Sequence, residues 1–88
     1  MRVLFTHQFL KQIRNVKDKR LAKRIESAIS EIKNASSLSE INNLKELKGY
    51  NNAHRIRVGD YRIGIYFIKN TVEFSCFMHR KEIYRYFP

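Results

Sequence analysis

The sequence has few of the residues that mark secreted, zinc-binding or membrane proteins. Its one cysteine, Cys76, cannot form an intramolecular disulfide, and no Cys/His spacing indicates a zinc site. No apolar run is long enough to span a membrane, and Met1–Thr6 is too short for a signal peptide. We therefore expect a cytoplasmic protein with no membrane association, no metal and no other cofactor.

Acidic residues are also scarce. The 88 residues include 18 Lys and Arg against 8 Asp and Glu, a formal net charge of +10. An excess of this size on a short chain is usually matched by a polyanion or an acidic protein. The acidic residues show no paired-carboxylate spacing, and Ser, His and Asp form no recognisable triad. The length predicts a single domain over residues 1–88.

The most informative stretch is His54–Phe67, which reads as two strands joined at Gly59-Asp60. A two-residue Gly-Asp connection between alternating runs is a strong hairpin signal, because glycine accepts the positive φ of a primed turn. One face of this hairpin is aliphatic, and the other carries Arg55, Arg57, Arg62 and Tyr66. We place the function on the cationic face, since like charges on neighbouring strands repel without an anion. The alternative is that these arginines simply face solvent.

The segments before the hairpin predict helices that cover its aliphatic face. Arg2–Thr6 reads as an opening strand, and apolar residues at helical spacing predict helices over Thr6–Val16 and from Asp18 to about Asn34. Thr6 and Asp18 are suitable capping residues for these two helices. Apolar residues then recur at every third position, which predicts a turn of helix leading into an irregular crossing: Leu38, Ile41, Leu44 and Leu47.

The segments after the hairpin predict a third strand and a tail. Alternation over Thr71–Met78 places Cys76 on the helix-covered side, as a buried apolar residue rather than a nucleophile, and Phe77 on the opposite side. His79–Pro88 reads as a short helical or extended tail, basic and aromatic, that can bring Arg80 and Tyr84 onto the cationic face. The predicted fold is α+β, with an N-terminal strand and a two-helix hairpin packed on one face of an antiparallel sheet.

Arginines interleaved with tyrosines are typical of single-stranded RNA binding, since guanidinium groups hold phosphates and aromatic rings stack on bases. Three segments also resemble signature blocks of the RelE/ParE superfamily of type II toxins, and especially its RelE-like branch: Leu47–Tyr50, Tyr61–Ile65 and His79–Tyr84. The resemblance covers essentially the whole chain. It implies a ribosome-dependent, metal-independent mRNA endonuclease in which the ribose 2′-hydroxyl attacks the adjacent phosphate. The partners implied are the ribosome, mRNA and an acidic, RelB-like antitoxin that inactivates the toxin in a hetero-oligomer.

The same resemblance implies roles for individual residues. Arg62 corresponds to the arginine that stabilises phosphate charge, Arg80 to the basic residue after the last strand, and Tyr84 to the tail tyrosine used for stacking or proton transfer. Arg55 and Arg57 stand where the best-studied branch has lysines, and an arginine is a poor general base. The base is then Tyr84, His79 or a ribosomal group. Further residues expected to contact RNA are Lys48, Tyr66, His79 and Lys81.

Two other functions remain open at this point. A ParE-like poison of DNA gyrase shares the fold but generally lacks the basic cluster. A basic RNA-binding domain without catalysis would bind RNA with a steep salt dependence and leave it intact. The tail also has two interpretations: Ile83, Tyr86 and Phe87 either form an exposed apolar segment that an antitoxin displaces, or close the edge of the core.

Overall fold

Five strands form one sheet, with helices on both of its faces. The structure is a computed structural model that describes the whole chain, Met1–Pro88. The sheet has the strand order β1-β5-β4-β3-β2. No helix is long and apolar enough to cross a membrane. The elements in chain order are β1 (Arg2–Phe5), α1 (His7–Arg14), α2 (Lys19–Asn34), β2 (Leu44–Glu46), β3 (Ala53–Val58), β4 (Tyr61–Ile68), β5 (Thr71–His79) and α3 (Arg80–Tyr86).

The first two helices begin at the predicted capping residues. Thr6 Oγ1 accepts a hydrogen bond from the Phe9 amide at 3.1 Å, and Asp18 Oδ1 accepts from the Arg20 amide at 2.9 Å. Both helices pack on the same face of the sheet, over a core of 11 buried residues that includes Phe9 and Ile25. The α+β architecture with a two-helix hairpin on one sheet face is thereby confirmed.

The hairpin between β3 and β4 also has the predicted form. Val58 lies opposite Tyr61, and Gly59 has a φ of +61°. Only the first of the two loop residues has a positive φ, which is the pattern of a type II′ turn. The aliphatic residues of both strands join the core under α1 and α2: Ile56, Val58, Ile63 and Ile65.

The sheet departs from the prediction at both edges. β1 runs parallel to β5, so the sheet is mixed rather than wholly antiparallel. The segment predicted as a helical turn and irregular crossing contains a 3₁₀ turn, Leu38–Glu40, followed by β2, which pairs antiparallel with β3. The three-residue spacing from Leu38 to Ile41 matches the 3₁₀ repeat, but Leu44 already belongs to β2, so the spacing beyond Ile41 is not helical. The 3₁₀ turn ends at Ile41, whose backbone is extended, and Asn43, with a φ of +64°, lies in a separate turn directly before the strand.

A bulge in β5 reverses the predicted facing of Cys76 and Phe77. Ile65 pairs with Phe74 and the residue before it pairs with Cys76, so Ser75 has no partner. One extra residue in a strand exchanges the two faces for everything that follows. Phe77 therefore joins the core under α1 and α2, whereas Cys76 is buried on the opposite face. Burial of the cysteine is confirmed, but its predicted side was wrong.

The predicted tail is the seven-residue helix α3. It packs on the cationic face of the sheet, which we expected to be exposed to solvent. Ile83 and Phe87 are buried, while Tyr84 and Tyr86 are 62% exposed. The first two therefore close a core rather than form an exposed apolar segment. The five buried residues of this second core are Leu47, Ala53, Cys76, Ile83 and Phe87.

Phe87 approaches the sheet closely because position 64 is glycine. A Cβ at Gly64 would lie 2.8 Å from two ring carbons of Phe87 and 2.8 Å from Cys76 Sγ. The ring thus lies over the middle of β4 and packs against Tyr66, with 5.1 Å between the ring centroids. On this face Phe87 divides Tyr66 from Arg62, which lies near the other end of the strand.

Candidate functional site

Three arginines and a tyrosine meet in one cleft beside α3, which we call the arginine cleft. Arg55 and Arg57 come from β3, Arg62 from β4 and Tyr84 from α3, around a volume of about 340 Å³. The backbone places them there, because Arg57 lies directly opposite Arg62 in the hairpin and Arg55 shares its face. No acidic side chain lines the cleft. Its chemistry therefore suits an anion.

Arg55 connects the sheet to α3. Its guanidinium carbon lies 4.5 Å from the centroid of the Tyr84 ring, a cation–π arrangement. Its Nε is buried without a hydrogen-bond partner in the chain. The guanidinium is therefore positioned by the Tyr84 ring and by the strand rather than by an acidic partner. Since no carboxylate neutralises its positive charge, the guanidinium can pair with an anionic ligand.

Arg62 is held by the turn of its own hairpin. Its Nη1 donates to the carbonyl oxygens of Gly59 at 2.9 Å and of Tyr61 at 2.8 Å. These two bonds fix the guanidinium before any ligand arrives and leave its Nη2 donors unused by the turn. A fixed donor avoids the cost of reorganisation during a reaction, which is the basis of electrostatic stabilisation in enzymes.

The start of α3 holds three further candidates outside the lining of the arginine cleft. His79 Nδ1 accepts from the Lys81 amide at 3.1 Å, so this histidine caps the helix. Its ring lies edge-on to Tyr61, 5.3 Å between centroids, and Tyr61 packs on the core under α1 and α2. His79 therefore faces away from the cleft. Arg80 is exposed beside the hairpin turn, where its amide donates to the Asp60 carbonyl at 2.8 Å.

Tyr66 and Lys48 lie in neighbouring hollows. Tyr66 lines a hollow of about 570 Å³ with Leu4 of β1, beyond Phe87. Lys48 lies in the loop between β2 and β3 and shares a hollow of about 430 Å³ with Arg55. The structure thus brings together Arg55, Arg57, Arg62 and Tyr84. It leaves the other candidates outside the lining of the arginine cleft: Lys48, Tyr66, His79, Arg80 and Lys81.

Sequence reasoning missed three residues that line the arginine cleft, of which Asn43 and Lys45 are polar and the third is Leu44. All three belong to the segment around β2, and Lys45 lies directly opposite Arg55. A three-residue strand shows too little alternation to be recognised. The Asn42-Asn43 pair was the available signal, because asparagine tolerates the left-handed conformation of a turn.

Other reactive groups take no part in the cleft. Burial raises the pKa of the Cys76 thiol to about 11, so it stays protonated and unreactive at neutral pH. No cluster of three His, Cys, Asp or Glu side chains could hold a metal ion. The one side-chain pair of a base and an acid within ion-pair distance is His54 Nε2 and Glu46 Oε2 at 3.8 Å, an ion pair only when His54 is protonated. The arginines of the cleft therefore have no carboxylate partner.

Comparisons with known proteins extend over the whole chain. Residues 3–84 match the family model described as ParE toxin of type II toxin-antitoxin system, parDE. The chain is 45% identical over 89 residues to Toxin RelE3 of Methanocaldococcus jannaschii, covering 100% of both. It matches a chain of the crystal structure of the RelB-RelE antitoxin-toxin complex from Methanococcus jannaschii with a TM-score of 0.81 and 44% identity, over 97% of this chain and 99% of that one.

More distant structures share the fold alone. The YoeB dimer from Staphylococcus aureus matches with a TM-score of 0.73 at 17% identity, over 91% of this chain and 97% of that chain. A RelE-RelB complex from Pyrococcus horikoshii matches with a TM-score of 0.71 at 19% identity, over 90% and 93% of the two chains. The three helices and the five-stranded mixed sheet are therefore a shared architecture.

Proposed function

Since the chain belongs to the ParE toxin family of type II toxin–antitoxin systems, and is a toxin of the RelE type, we propose that it is an endoribonuclease that cuts mRNA on the ribosome in the cytoplasm. The observation that carries the proposal is the meeting of Arg55, Arg57, Arg62 and Tyr84 in a cleft without acidic residues. Guanidinium groups bind phosphate oxygens through paired hydrogen bonds. An aromatic ring beside them suits an unpaired base or a proton transfer.

In the proposed reaction the ribose 2′-oxygen attacks the adjacent phosphorus and the bond from phosphorus to O5′ breaks. The products are a 2′,3′-cyclic phosphate and a 5′-hydroxyl. The 2′-hydroxyl gives its proton to a general base, and O5′ takes a proton from solvent water as it leaves, so protons and charge balance. Negative charge grows on the phosphate oxygens in the transition state, and the arginines supply the positive charge that stabilises it. We propose that this charge serves in place of a metal ion.

Each cleft residue has a proposed role. Arg62, fixed by the turn carbonyls, would hold a phosphate oxygen, and Arg55 and Arg57 would neutralise the transition state from the adjoining strand. Tyr84 is our candidate base, because its side chain is exposed to an incoming strand and lines the cleft beside the arginines. Lys45 is its rival, as the other titratable side chain of the lining that is not an arginine.

The test adds purified protein to a translating extract and maps new mRNA 5′ ends by primer extension. We expect ends that require ribosomes and carry 5′-hydroxyls. Arg62→Ala should reduce the cleavage rate by about 10²–10³-fold, the usual cost of removing one fixed donor to a transition state. Arg85→Ala is the matched control, since Arg85 is exposed on α3 and lies outside the cleft lining. Equal cleavage by both variants would remove Arg62 from the site.

A further variant addresses the base. Tyr84→Phe keeps the ring under Arg55 and removes the hydroxyl, so a loss of cleavage with unchanged RNA binding would support proton transfer by Tyr84. Undiminished cleavage would transfer the role to Lys45 or to the ribosome.

Because the matching family model is named for ParE toxins, gyrase poisoning is the second candidate. Intact message together with halted DNA supercoiling would select it, and intact message with neither effect would leave an RNA-binding domain.

We also propose that an acidic, RelB-like antitoxin binds this protein in a hetero-oligomer. Support comes from the net charge of +10 and from the similar chain in a RelB-RelE antitoxin-toxin complex. A partner that covers the arginine cleft, or that displaces α3 with Tyr84, would stop the reaction. Co-purification with a RelB-type antitoxin, lost at high salt, is the expected result; no co-purification at low salt would contradict this proposal.

A further inference from the structure

A second basic cleft lies between α2 and the C-terminal end of β3. We call it the α2 cleft, because one wall is helix α2, and it has a volume of about 440 Å³. Arg20, Lys23 and Arg24 line it from α2, and Arg57 lines it from β3. One acidic residue, Glu31, lies among them. Of these cations only Arg57 has a role in the proposed reaction, and the three on α2 have none.

These cations have no partners within the chain. The one ion pair of the structure joins His54 and Glu46, so no lysine or arginine of the α2 cleft is paired with a carboxylate. Arg20 lies three residues before Lys23 and four before Arg24, which places all three on one face of the helix. Like charges at these spacings destabilise a helix. An anion bound between them would remove that repulsion.

The α2 cleft and the arginine cleft meet at a common rim. Asn43 and Arg57 line both clefts, and the Arg57 amide donates to the Asn43 carbonyl at 2.9 Å. The pairing of β2 with β3 ends at Leu44 and Ile56, so at Arg57 the edge of β3 is covered only by the loop residue Asn43. Arg57 is exposed there and lies between the two clefts.

The hairpin turn links the two clefts a second time. A Cβ on Gly59 would lie 2.8 Å from Arg24 Nη1, so glycine lets this guanidinium lie against the turn. The carbonyl of the same glycine accepts from Arg62 Nη1 at 2.9 Å. Gly59 thus lies against a guanidinium of each cleft, and it accepts a hydrogen bond from the one on Arg62.

We infer that the α2 cleft binds the phosphate backbone of the RNA strand that occupies the arginine cleft, on one side of the cut. The inference rests on the proposed function for the identity of that strand. The α2 cleft has few apolar residues in its lining, so it suits phosphates better than the apolar face of a protein helix. A single strand bends easily around a sheet edge, and basic grooves track such backbones over several nucleotides.

The test measures binding of an RNA in which deoxyribose replaces the ribose at the cut, so that it cannot be cleaved. The variant is Arg20→Ala with Lys23→Ala, and the matched control is Lys11→Ala with Arg14→Ala. Both pairs remove one Lys and one Arg, three residues apart, from exposed helix positions. The control pair lies on α1, outside both clefts.

The α2 variant should weaken binding of a long oligonucleotide and leave binding of a trinucleotide unchanged, because a trinucleotide fills only the arginine cleft. The slope of log affinity against log salt should fall by about 0.7 for each lost phosphate contact. The control pair should change neither quantity. Equal losses for the two variants would mean a general charge effect and would overturn the inference, as would equal wild-type affinity for both RNA lengths.

Two outcomes separate this inference from the proposed function. If the wild-type protein cuts no RNA but the α2 variant alone lowers the affinity for long RNA, the nuclease proposal fails. The inference that the α2 cleft binds an RNA backbone then stands. If cleavage proceeds and the α2 variant loses affinity only for ribosomes without message, the cleft holds ribosomal RNA instead. That second result overturns the inference and leaves the nuclease proposal intact.

Discussion

The two faces of the sheet carry cores of different size. Under α1 and α2 lie 11 buried residues, with partly buried neighbours from β1, α1, α2, β2 and β4. Under α3 lie five buried residues, two of which belong to the C-terminal segment itself. The larger core holds the chain together. The smaller core holds one short helix in place, and that helix carries Tyr84 into the arginine cleft.

This difference separates the stability of the fold from the stability of the candidate site. Local openings in proteins cost less free energy where few apolar contacts are made, and terminal helices open most easily. α3 can leave the sheet without breaking a strand, since no ladder passes through it. We therefore expect changes in the larger core to unfold the protein and changes in the smaller core to disable the cleft.

The largest effect should come from Phe74→Ala in the larger core. Phe74 is fully buried, and its ring lies 5.3 Å from the rings of both Phe5 and Phe9. Truncation of a buried phenylalanine costs about 3–5 kcal/mol, a large part of the stability of a small domain. Urea unfolding followed by circular dichroism should show one transition at much lower urea. Loss of α3 alone, with the sheet unaffected, would contradict the assignment of this core to the fold.

An intermediate effect should come from Ile83→Ala in the smaller core. Ile83 is fully buried under α3, and an Ile→Ala change in a core costs about 2–5 kcal/mol. Here the loss in global stability should be smaller, because it cannot exceed the free energy of docking α3. The buried Cys76 is the single cysteine and lies in the same cluster, so its reaction with a thiol reagent reports on undocking.

We expect the Ile83→Ala protein to react faster with the reagent and to cleave RNA more slowly, while the sheet unfolds near the wild-type urea concentration. Tyr86→Ala is the control, because Tyr86 is on the same helix and 62% exposed. It should change neither measurement. Unchanged thiol reactivity in Ile83→Ala would mean that α3 does not open independently of the rest of the fold.

The smallest effect should be a dependence of stability on alkaline pH. Burial raises the pKa of the Cys76 thiol from 9.0 to about 11 in the folded protein. Between these values the unfolded chain has lost a proton that the folded chain keeps, so the free energy of unfolding falls as the pH rises. Below pH 9.0 the contribution is fully present.

The measurement is urea unfolding of the wild type and of Cys76→Ala over this range. Lysine and tyrosine titration is common to the two proteins and cancels in their difference. The wild type should lose stability relative to the variant between pH 9.0 and about pH 11. Parallel curves would show that the thiol is not desolvated, and hence that the smaller core is open to water.

Most of the larger core could be predicted from local patterns. The features that predicted it each depend on residues close in sequence, and all were confirmed: the helical spacing, the caps at Thr6 and Asp18, and the Gly59-Asp60 turn. The smaller core could not be predicted in the same way. It depends on the bulge at Ser75, which reverses the facing of Cys76, and on contacts between the C-terminal segment and a distant glycine. Neither feature has a signature in a single sequence.

The candidate site also combines residues that local patterns could group with residues that they could not. Arg55, Arg57 and Arg62 share a face by strand alternation alone, so the sequence was sufficient to group them. The approach of Tyr84 depends on the docking of α3, and the contribution of Lys45 depends on an unpredicted strand. The roles of all these residues in cleavage, and of Lys48, Tyr66, His79, Arg80 and Lys81 in binding RNA, stay predictions for the experiments above.

The single ion pair between His54 and Glu46 has a consequence for how this protein exists in solution. Folding gathers a formal net charge of +10 into a small volume, and no lysine or arginine is paired with a carboxylate inside the chain. Counterions are then reactants in the folding equilibrium, since the folded form attracts more of them than the extended chain does. A polyanion that binds only the folded form shifts this equilibrium further. Thermodynamically, the complete molecule is the protein together with the negative charge that surrounds it.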